Sequence, residues 1–389
     1  MQSSFIQECA GLYRKTLIED VVPFWMRHAM DREHGAILNC LDDSGAVLSR
    51  DRYLWSQGRA LWTFSALYNR IQPRQEWLEV AHGIASYLKT HGRDHEGRWM
   101  YRLSEDGEVL DRDISIYVDG FVINGLSEYY IATGDEEAAE LALATHEVTD
   151  RRIRNPGSYG IAPYELDAGV KTLGVPMIFS FFFYNLARAI RRPDVQNTAL
   201  ALAREVFDFY LPDKDMVMEF ARIGGGRVDT PEGRVSIPGH VIEAMWFLIS
   251  IFEETGDTEA ITRCCRLIRR HIELGWDEEY GGIRLAVDVE GGEPAWRKPD
   301  CKPWWVQVEA LIATAFAHIH TREPWCLEWH EKIRDYAYAH YPVPTGEWTQ
   351  WLDRSGNKGE SAALPVKDPF HLPRALIYLI DLFEKRIET

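Results

Sequence analysis

Long stretches of the chain carry the hydrophobic periodicity of helices, and shorter stretches between them alternate as strands do. Apolar residues recur at three- and four-residue spacing in twelve stretches, at residues 4–28, 53–71, 75–90, 118–133, 136–151, 173–190, 194–211, 237–255, 257–274, 303–320, 323–340 and 369–386. Tight breaks such as ATGD at 132–135 and ETGD at 254–257 separate neighbouring helices. Short connections favour antiparallel pairs, so the pattern predicts twelve helices arranged as hairpins.

The helical pattern repeats with a period of about sixty residues. Comparable positions on successive inner helices are occupied by Arg59, Phe121, Met177, Glu243, Glu309 and Arg374. Six helical hairpins either stack as an open solenoid or close into a barrel. Four helices, at 53–71, 173–190, 237–255 and 303–320, are apolar or aromatic on nearly all sides, as helices inside a ring of outer helices should be. The sequence therefore predicts an all-α fold, an (α/α)6 barrel with an inner and an outer ring.

A second repeat lies in the connections between helices. Residues 35–45, 97–107, 282–292 and 346–356 each begin with glycine, alternate apolar residues, and end in a turn with glycine. This pattern is typical of β-hairpins, and it predicts short hairpins in the loops.

Composition narrows the class of protein further. The 389 residues are 46% apolar and 12% aromatic, enough for a large core, and no linker or low-complexity tract divides them, which predicts one domain over residues 1–389. The net charge of −17 argues against a nucleic-acid partner. The six cysteines lack disulfide or metal-ligand spacing, and residues 1–9 lack the features of a signal peptide. We therefore expect a cytoplasmic protein without a membrane segment.

Prolines mark the starts of four inner helices, at Pro176, Pro238, Pro303 and Pro369. Proline suits the first helical turn, where its missing N–H has no partner to lose. In a closed barrel these helix starts lie together at one mouth, and we expect the functional site there.

Two histidines follow these prolines. His240, Glu243 and Trp246 share one face of a predicted helix, and His371 begins another. Because the positive end of a helix dipole disfavours a charged imidazole, we expect His240 to be neutral and able to act as a base. The pattern indicates two histidines over one pocket.

Further residues at the helix starts complete a candidate site. Aromatic side chains with a few polar groups suit a sugar, whose apolar faces stack on indole rings while arginine and carboxylates bind hydroxyls. The candidates for contact with such a ligand are Trp55, Trp62, Tyr117, Asp119, Met177, Lys302, Trp305 and Arg374. Any one tryptophan is more often core than ligand wall. Arg59, Glu243 and Glu309 are costly on apolar helices unless they act on a ligand or pair with one another.

Several other chemistries lack their motifs. The sequence contains no HExxH metal motif and no Gly-x-Ser-x-Gly elbow, and no further histidine or carboxylate cluster extends His240 and Glu243 into a metal site. We therefore expect no metal.

Four segments, WSQGRALW at 55–62, PGHVIEAMW at 238–246, KPWWVQVE at 302–309 and FHLPR at 370–374, resemble motifs of the N-acylglucosamine 2-epimerase family. The resemblance runs in family order from about residue 12 to residue 382. It implies an (α/α)6 barrel that inverts or isomerises a sugar at C2 without a metal. By the same resemblance His240 and His371 are the acid/base pair, Arg59 lies near O1, and Glu243 and Glu309 orient the histidines or bind hydroxyls. It also implies ATP as an effector of some members, with no other cofactor, and a possible homodimer.

The third inner helix bears on the substrate. VPMI at 175–178 is similar to the corresponding segment of the acylhexosamine epimerases. Other branches of the family have a segment similar to Asn-x-x-Met-His on this helix. This predicts interconversion of N-acylglucosamine and N-acylmannosamine. LPVKDP at 364–369 departs from the Trp-Lys-Gly-Cys usual in that branch, which keeps open an isomerase or epimerase of unmodified mannose-type sugars. A protein-binding role resembling that of a renin-binding protein, and a glycosidase with a carboxylate pair, are the remaining alternatives.

Overall fold

The computed structural model describes residues 2–359, 364 and 366–387, and helices dominate it. The α-helices are α1 (Gln2–Lys15), α2 (Val22–His28), α3 (Leu54–Ala66), α4 (Gln75–His91), α5 (Tyr117–Thr133), α6 (Glu136–Ile153), α7 (Gly174–Ile190), α8 (Pro193–Glu205), α9 (Pro238–Thr255), α10 (Thr258–Gly275), α11 (Trp304–Thr321), α12 (Pro324–His340) and α13 (His371–Lys385). Three segments of other helical geometry join or extend them, namely Thr16–Val21, Leu67–Ile71 and Val206–Phe209. All twelve predicted helices are confirmed, the first as α1 and α2 joined by a π-helical turn.

The helices form two concentric rings. Helices α3, α5, α7, α9, α11 and α13 pack each against the next, and α13 returns to α3. Each packs also against an outer helix, five of them against the helix that follows in the chain. The sixth inner helix, α13, takes α1 as its outer partner. The fold is therefore a closed (α/α)6 barrel, as predicted, and its last hairpin unites two distant parts of the chain.

The two rings differ in how their surfaces are buried. Side chains of α9 are buried around the whole helix, whereas α10 buries one face and exposes the other. On α10 the buried face includes Cys264, Cys265 and Ile268, and Arg266 and Arg269 point to solvent. This amphipathic pattern is what separates an outer helix from an inner one. Cys264 and Cys265 are free thiols buried in the layer between the two rings.

Two inner helices approach each other at glycine. A Cβ atom on Gly58 of α3 would lie 2.7 Å from the backbone carbonyl carbon of Phe121 on α5, and one on Gly125 would lie 2.5 Å from the carbonyl oxygen of Gly58. The backbones of α3 and α5 are therefore in direct contact, which a side chain at either position would prevent.

Short antiparallel strands occupy the connections at one end of the barrel. They are β1 (Cys40–Leu41), β2 (Val47–Ser49), β3 (Arg52–Tyr53), β4 (Arg102–Leu103), β5 (Val109–Asp111), β6 (Val170–Thr172), β7 (Tyr210–Leu211), β8 (Met216–Val217), β9 (Phe220–Arg222), β10 (Val235–Ser236), β11 (Val287–Asp288), β12 (Lys302–Pro303) and β13 (Trp351–Leu352). The hairpins predicted at 35–45 and 97–107 correspond to the pairs β1–β2 and β4–β5. At 346–356, β13 turns back on itself through an antiparallel bridge between Leu352 and Lys358, and it also pairs with β12. The local hairpin predicted at 282–292 is wrong, because β11 pairs with β10.

Four strands lead directly into inner helices. β3, β6, β10 and β12 precede α3, α7, α9 and α11, and each pairs with a strand of the following connection. These pairings bind neighbouring connections together and hold the helix starts at one end of the barrel. Among the described helices, none has the length and apolar character required to cross a membrane.

Candidate active site

A cavity of about 720 Å³ opens where the inner helices begin. Every inner helix contributes a side chain from its first turns to the wall, in chain order Trp55, Tyr117, Met177, His240, Trp305 and His371. The cavity therefore lies at the mouth of the barrel where the inner helices start, which is where the sequence predicted the site.

His371 belongs to a buried network of charges. Its Nδ1 lies 2.9 Å from Oε1 of Glu309, and Oε2 of the same carboxylate accepts a hydrogen bond of 2.9 Å from the indole of Trp246. Arg374 donates to Glu309 at 2.6 Å and also to Glu243. Glu309 is fully buried and does not line the cavity, so its contacts orient His371 and leave no oxygen for a ligand.

The surroundings of His371 favour its neutral form. Burial holds the pKa of this imidazole well below its ordinary value, and the positive charges of Arg59 and Arg374 add to the effect against the charge of Glu243. Because Glu309 can only accept while ionised, Nδ1 carries the ring proton and Nε2 has a lone pair. A neutral histidine at a cavity wall is suited to remove a proton.

His240 has the opposite character. Its Nδ1 lies 2.9 Å from Oε2 of Glu219, and its ring stacks on Trp305 with a centroid separation of 5.2 Å. Burial works against the charged imidazole, but the charge and hydrogen bond of Glu219 outweigh it, and the pKa of His240 is raised. The direction of this shift runs against the expectation from the helix dipole, because the contacting carboxylate of Glu219 has more influence on the pKa.

Arg59 presents a fixed cation to the cavity. Its guanidinium lies over three aromatic rings, at 4.6 Å from the centroid of Trp55, 4.1 Å from that of Phe121 and 5.0 Å from that of Phe370. Nη1 donates to Asp368 at 3.1 Å. Nε is buried without a hydrogen-bond partner among the described residues. The aromatic clamp holds a charge that retains hydrogen-bonding capacity, which suits it to an oxygen of the ligand.

Two carboxylates and a histidine gather closely around Arg374. Ligand atoms of Glu243, Glu309 and His371 lie within 4.8 Å of one another, a spacing compatible with a metal ion. The guanidinium of Arg374 already bonds to both carboxylates and approaches Nδ1 of His371 to 3.4 Å. The cluster thus surrounds a cation that the chain itself supplies. The sequence left open whether the buried charges pair with one another or act on a ligand. Glu309 only pairs, whereas Glu243 and Arg374 pair with each other and also line the cavity.

Of the remaining predicted contacts, Trp62 is not at the cavity. It is 1% exposed, its ring packs against Phe370 and stacks on Tyr378 at 6.1 Å, and it belongs to the barrel core below the site. The prediction of a wall position is corrected. Trp62 lies two turns into α3, beyond the depth that the cavity reaches.

Asp119 and Lys302 also lie away from the cavity wall. Asp119 faces the outer helix α6, where Arg152 donates to it at 3.1 Å. Lys302 is fully buried beside Asp277, with the nitrogen and oxygen 3.6 Å apart, in the strand that precedes α11. Both predictions of ligand contact are corrected, since these charges serve ion pairs between elements of the fold.

Two carboxylates at the site were not predicted. Glu219 lies between β8 and β9, and Asp368 lies just before α13. Neither position is part of a periodic segment, so nothing in the pattern of the sequence indicates what it contacts. Asp368 lies just before the segment 370–374, and this position in the sequence was the one indication that it could belong to the site.

Comparison with known proteins agrees with this architecture. Residues 35–375 match the family model of N-acylglucosamine 2-epimerase (GlcNAc 2-epimerase). The N-acylglucosamine 2-epimerase of Rattus norvegicus is 26% identical over 381 residues, covering 92% of this chain and 88% of the rat protein. Cellobiose 2-epimerase of Ruminococcus albus is 24% identical over 392 residues, covering 94% and 97%. A crystal structure of D-mannose isomerase shares the fold with a TM-score of 0.82 at 18% identity, covering 95% and 97%.

The match extends over most of the chain and includes the four segments that form the cavity wall and its buried charges. The fold, the charged and aromatic cavity and the sequence match thus all agree with one family of enzymes that rearrange sugars. The chain therefore belongs to the N-acylglucosamine 2-epimerase family and is an enzyme of the isomerase class.

Proposed function

We propose that the enzyme interconverts N-acylglucosamine and N-acylmannosamine by proton transfer at C2, with His371 and His240 as the two acid/base groups. The observation that supports this most is that two histidines lie at the wall of the same cavity, with the pKa of His240 raised by Glu219 and the pKa of His371 lowered by burial. Epimerisation needs such a pair, because one group must remove a proton while another supplies one.

The first step takes the C2 proton from the open-chain aldose. This proton is weakly acidic, so its removal needs a positioned base and stabilisation of the charge that develops on the C1 oxygen. His371 accepts the proton on Nε2, the C2–H electron pair forms the C1–C2 double bond, and O1 becomes an enolate oxygen. Arg59 stabilises that oxygen with a cation that needs no rearrangement.

The second step returns a proton to C2 from the other face. His240 donates it, the double-bond electrons form the new C2–H bond, and the C1 carbonyl is restored. For the opposite epimer the two histidines exchange roles. Glu243 and Arg374, which also line the cavity, are placed to bind sugar hydroxyls.

The third inner helix supports an acylated substrate. It presents Met177, Ile178 and Phe182 to the cavity. These apolar side chains offer nothing to a hydroxyl, but they make a favourable surface for the methyl group of an N-acetyl substituent. An N-acylhexosamine therefore fits this wall better than an unmodified hexose.

Proton NMR of sugars incubated with the enzyme in deuterated water tests the proposal. N-acetylglucosamine and N-acetylmannosamine should each yield the other, with deuterium at C2, faster than mannose, glucose or fructose react. Faster reaction of the free hexoses would transfer the assignment to unmodified sugars, and a ketose product would make the enzyme an isomerase of the aldose–ketose type. Release of a sugar from a glycoside would indicate a hydrolase, and no reaction would favour the protein-binding role.

Treatment with EDTA, followed by the same assay, tests the expected metal independence. Turnover should be unchanged, because the guanidinium of Arg374 already bonds to both carboxylates of this cluster. A loss of activity that a divalent ion restores would assign a metal to this cluster.

A further inference from the structure

Glu219 is held in place by four contacts at the cavity wall. Its backbone oxygen accepts from Leu173 at 2.9 Å, and its backbone N–H donates to Val235 at 3.0 Å. Its carboxylate accepts from the hydroxyl of Thr172 at 3.1 Å through Oε1, while Oε2 lies 2.9 Å from Nδ1 of His240. The side chain is therefore fixed between the connections that lead into α7 and α9. Both of its oxygens are occupied by contacts within the protein.

The two glutamates that contact the histidines differ in their own surroundings. Glu309 accepts from Arg374, a cation that it shares with Glu243. Among the described residues, no arginine or lysine forms an ion pair with Glu219. The imidazole of His240 is thus the basic side chain in contact with this carboxylate.

We propose that Glu219 is a positioning residue that orients His240 through Nδ1–H and maintains it as the proton donor of the pair. Its carboxylate fixes the tautomer, so that Nε2 carries the proton that is passed to the substrate. The use of that proton at sugar C2 rests on the proposed function, whereas the effect of Glu219 on His240 exists in the free enzyme.

The other groups around His240 do not replace this effect. Glu243 is one turn further along the same helix and adds a weaker attraction. His371, from α13, faces His240 and is neutral, and Trp305, from α11, covers the ring without a charge. Glu219 is the acid that contacts the imidazole directly.

Titration of His240 by NMR in the free enzyme tests the proposal without a substrate. The His240 signal is identified as the one absent from His240→Asn. In the wild type its midpoint should lie above that of an ordinary histidine. Glu219→Gln preserves the shape and an acceptor oxygen but removes the charge, so the midpoint should move to lower pH. The matched control Glu290→Gln removes an equal charge from an exposed site and should leave it unchanged.

Kinetics provide a second readout. In Glu219→Gln, kcat should fall about 10²-fold at neutral pH, the lower end of what a positioned acid contributes. The alkaline limb of the kcat/KM profile should move to lower pH, because His240 loses its proton earlier. KM should change little, since each oxygen of Glu219 already accepts a contact from the protein. A loss caused by general disruption would lower kcat without moving the profile.

The outcomes separate this proposal from the proposed function. A wild-type midpoint at or below that of ordinary histidine, or a midpoint that Glu219→Gln leaves unchanged, overturns the role of Glu219 even if the enzyme epimerises sugars. If the variant does not fold, the midpoint of His240 in the wild type still tests the proposal. If the titration behaves as expected but no sugar reacts, the proposed function fails and the control of His240 by Glu219 remains.

Discussion

At the scale of single residues, two histidines of one cavity each contact a glutamate, yet their pKa values shift in opposite directions. Glu219 raises the pKa of His240, whereas burial and the charges of Arg59 and Arg374 keep the pKa of His371 low despite its contact with Glu309. The contact distances are the same, 2.9 Å in each case. The pKa of each histidine thus depends on the surroundings of the pair as well as on the contact.

Replacing either histidine should stop net epimerisation. His240→Asn and His371→Asn each remove one of the two groups proposed to exchange protons with C2, and turnover should fall by at least about 10²–10⁴-fold. Conversion of both N-acetylhexosamines is followed by NMR in deuterated water. Each variant should still exchange the C2 proton of the one epimer for which it retains the base.

Near-normal turnover of both epimers by either variant would contradict the two-base assignment. The vacant role would then pass to Glu243, the remaining carboxylate that lines the cavity close to Arg374. A normal melting temperature for both variants controls for loss of the fold.

Trp305 and Trp62 should respond differently to the same substitution. Trp305→Ala removes a cavity wall and the ring on which His240 stacks, so kcat/KM should fall by tenfold or more while the fold is largely retained. Trp62→Ala removes a core side chain that is 1% exposed, which should lower the free energy of unfolding by about 3–5 kcal/mol. Steady-state kinetics and chemical denaturation of both variants make the comparison. Equal effects on both quantities would contradict the assigned positions.

The residue types of the site could be predicted from sequence more readily than their contacts. Arg59, Glu243 and Glu309 stood out because charges on apolar helices require a reason, and His240 and His371 because they follow prolines at helix starts. The sequence could not show how far each helix start projects into the cavity, which is why Trp62 and Lys302 were placed there. Glu219 was missed because its partner is a histidine 21 positions later, on an element that only the tertiary fold brings near.

At the scale of elements, the contact between α3 and α5 depends on the absence of side chains. Gly58→Ala would place a Cβ 2.7 Å from the backbone of Phe121, and backbone atoms in a closed ring cannot move aside cheaply. The free energy of unfolding should fall by about 1–3 kcal/mol. Because Gly58 precedes Arg59, kcat should fall as well. Chemical denaturation and steady-state kinetics measure the two effects.

Gly11 on α1 is the matched control. A Cβ there meets no atom within 4 Å, so Gly11→Ala should be neutral or stabilise the protein by about 0.5–1 kcal/mol through reduced chain entropy. If Gly58→Ala were as stable as Gly11→Ala, the close approach of the two backbones would be wrong.

Helices were predicted better than strands because their pattern is local. Periodicity within each segment identified all twelve helices and the inner ring. A strand alternates in the same way whatever its partner is, so the segment 282–292 predicted a local hairpin where the true partner of β11 is β10. The pairing depends on closure of the barrel, which the local sequence does not describe.

At the scale of the whole molecule, the ring is joined where α1 meets α13. His330 of the outer helix α12 lies at this junction. Its Nε2 is 2.5 Å from the hydroxyl of Tyr13 on α1, its Nδ1 is 2.9 Å from the hydroxyl of Thr314 on α11, and its ring packs on Phe383 of α13. Burial lowers the pKa of His330 to about 3, and the positive charge of Arg334 adds to the effect. Four helices are thus united around an imidazole that must remain neutral.

This junction should weaken as the pH falls. The unfolded chain binds a proton at a histidine pKa of about 6.5, and the folded chain does so only near 3. Between these values the unfolded state carries more protons, so the contribution of His330 to the free energy of unfolding decreases as the pH is lowered. His330→Gln should lower stability at pH 7 but reduce its dependence on pH. Chemical denaturation at several pH values between 7 and 5 measures both.

The control for that prediction is His95→Gln. The side chain of His95 is 89% exposed, so its replacement should leave the pH dependence of stability parallel to that of the wild type. If His330→Gln also ran parallel to the wild type, the junction would not depend on a neutral His330.

The pairing of α1 with α13 also sets an order of events during synthesis. A ribosome releases the N-terminal helix first, yet its inner partner is made after all the other helices. Five hairpins can assemble as they emerge, while α1 waits with an apolar face uncovered. Because α13 also carries His371 and Arg374, the ring and the candidate active site are completed by the same late step. A nascent chain that stalls before α13 therefore has neither a closed barrel nor a complete cavity wall.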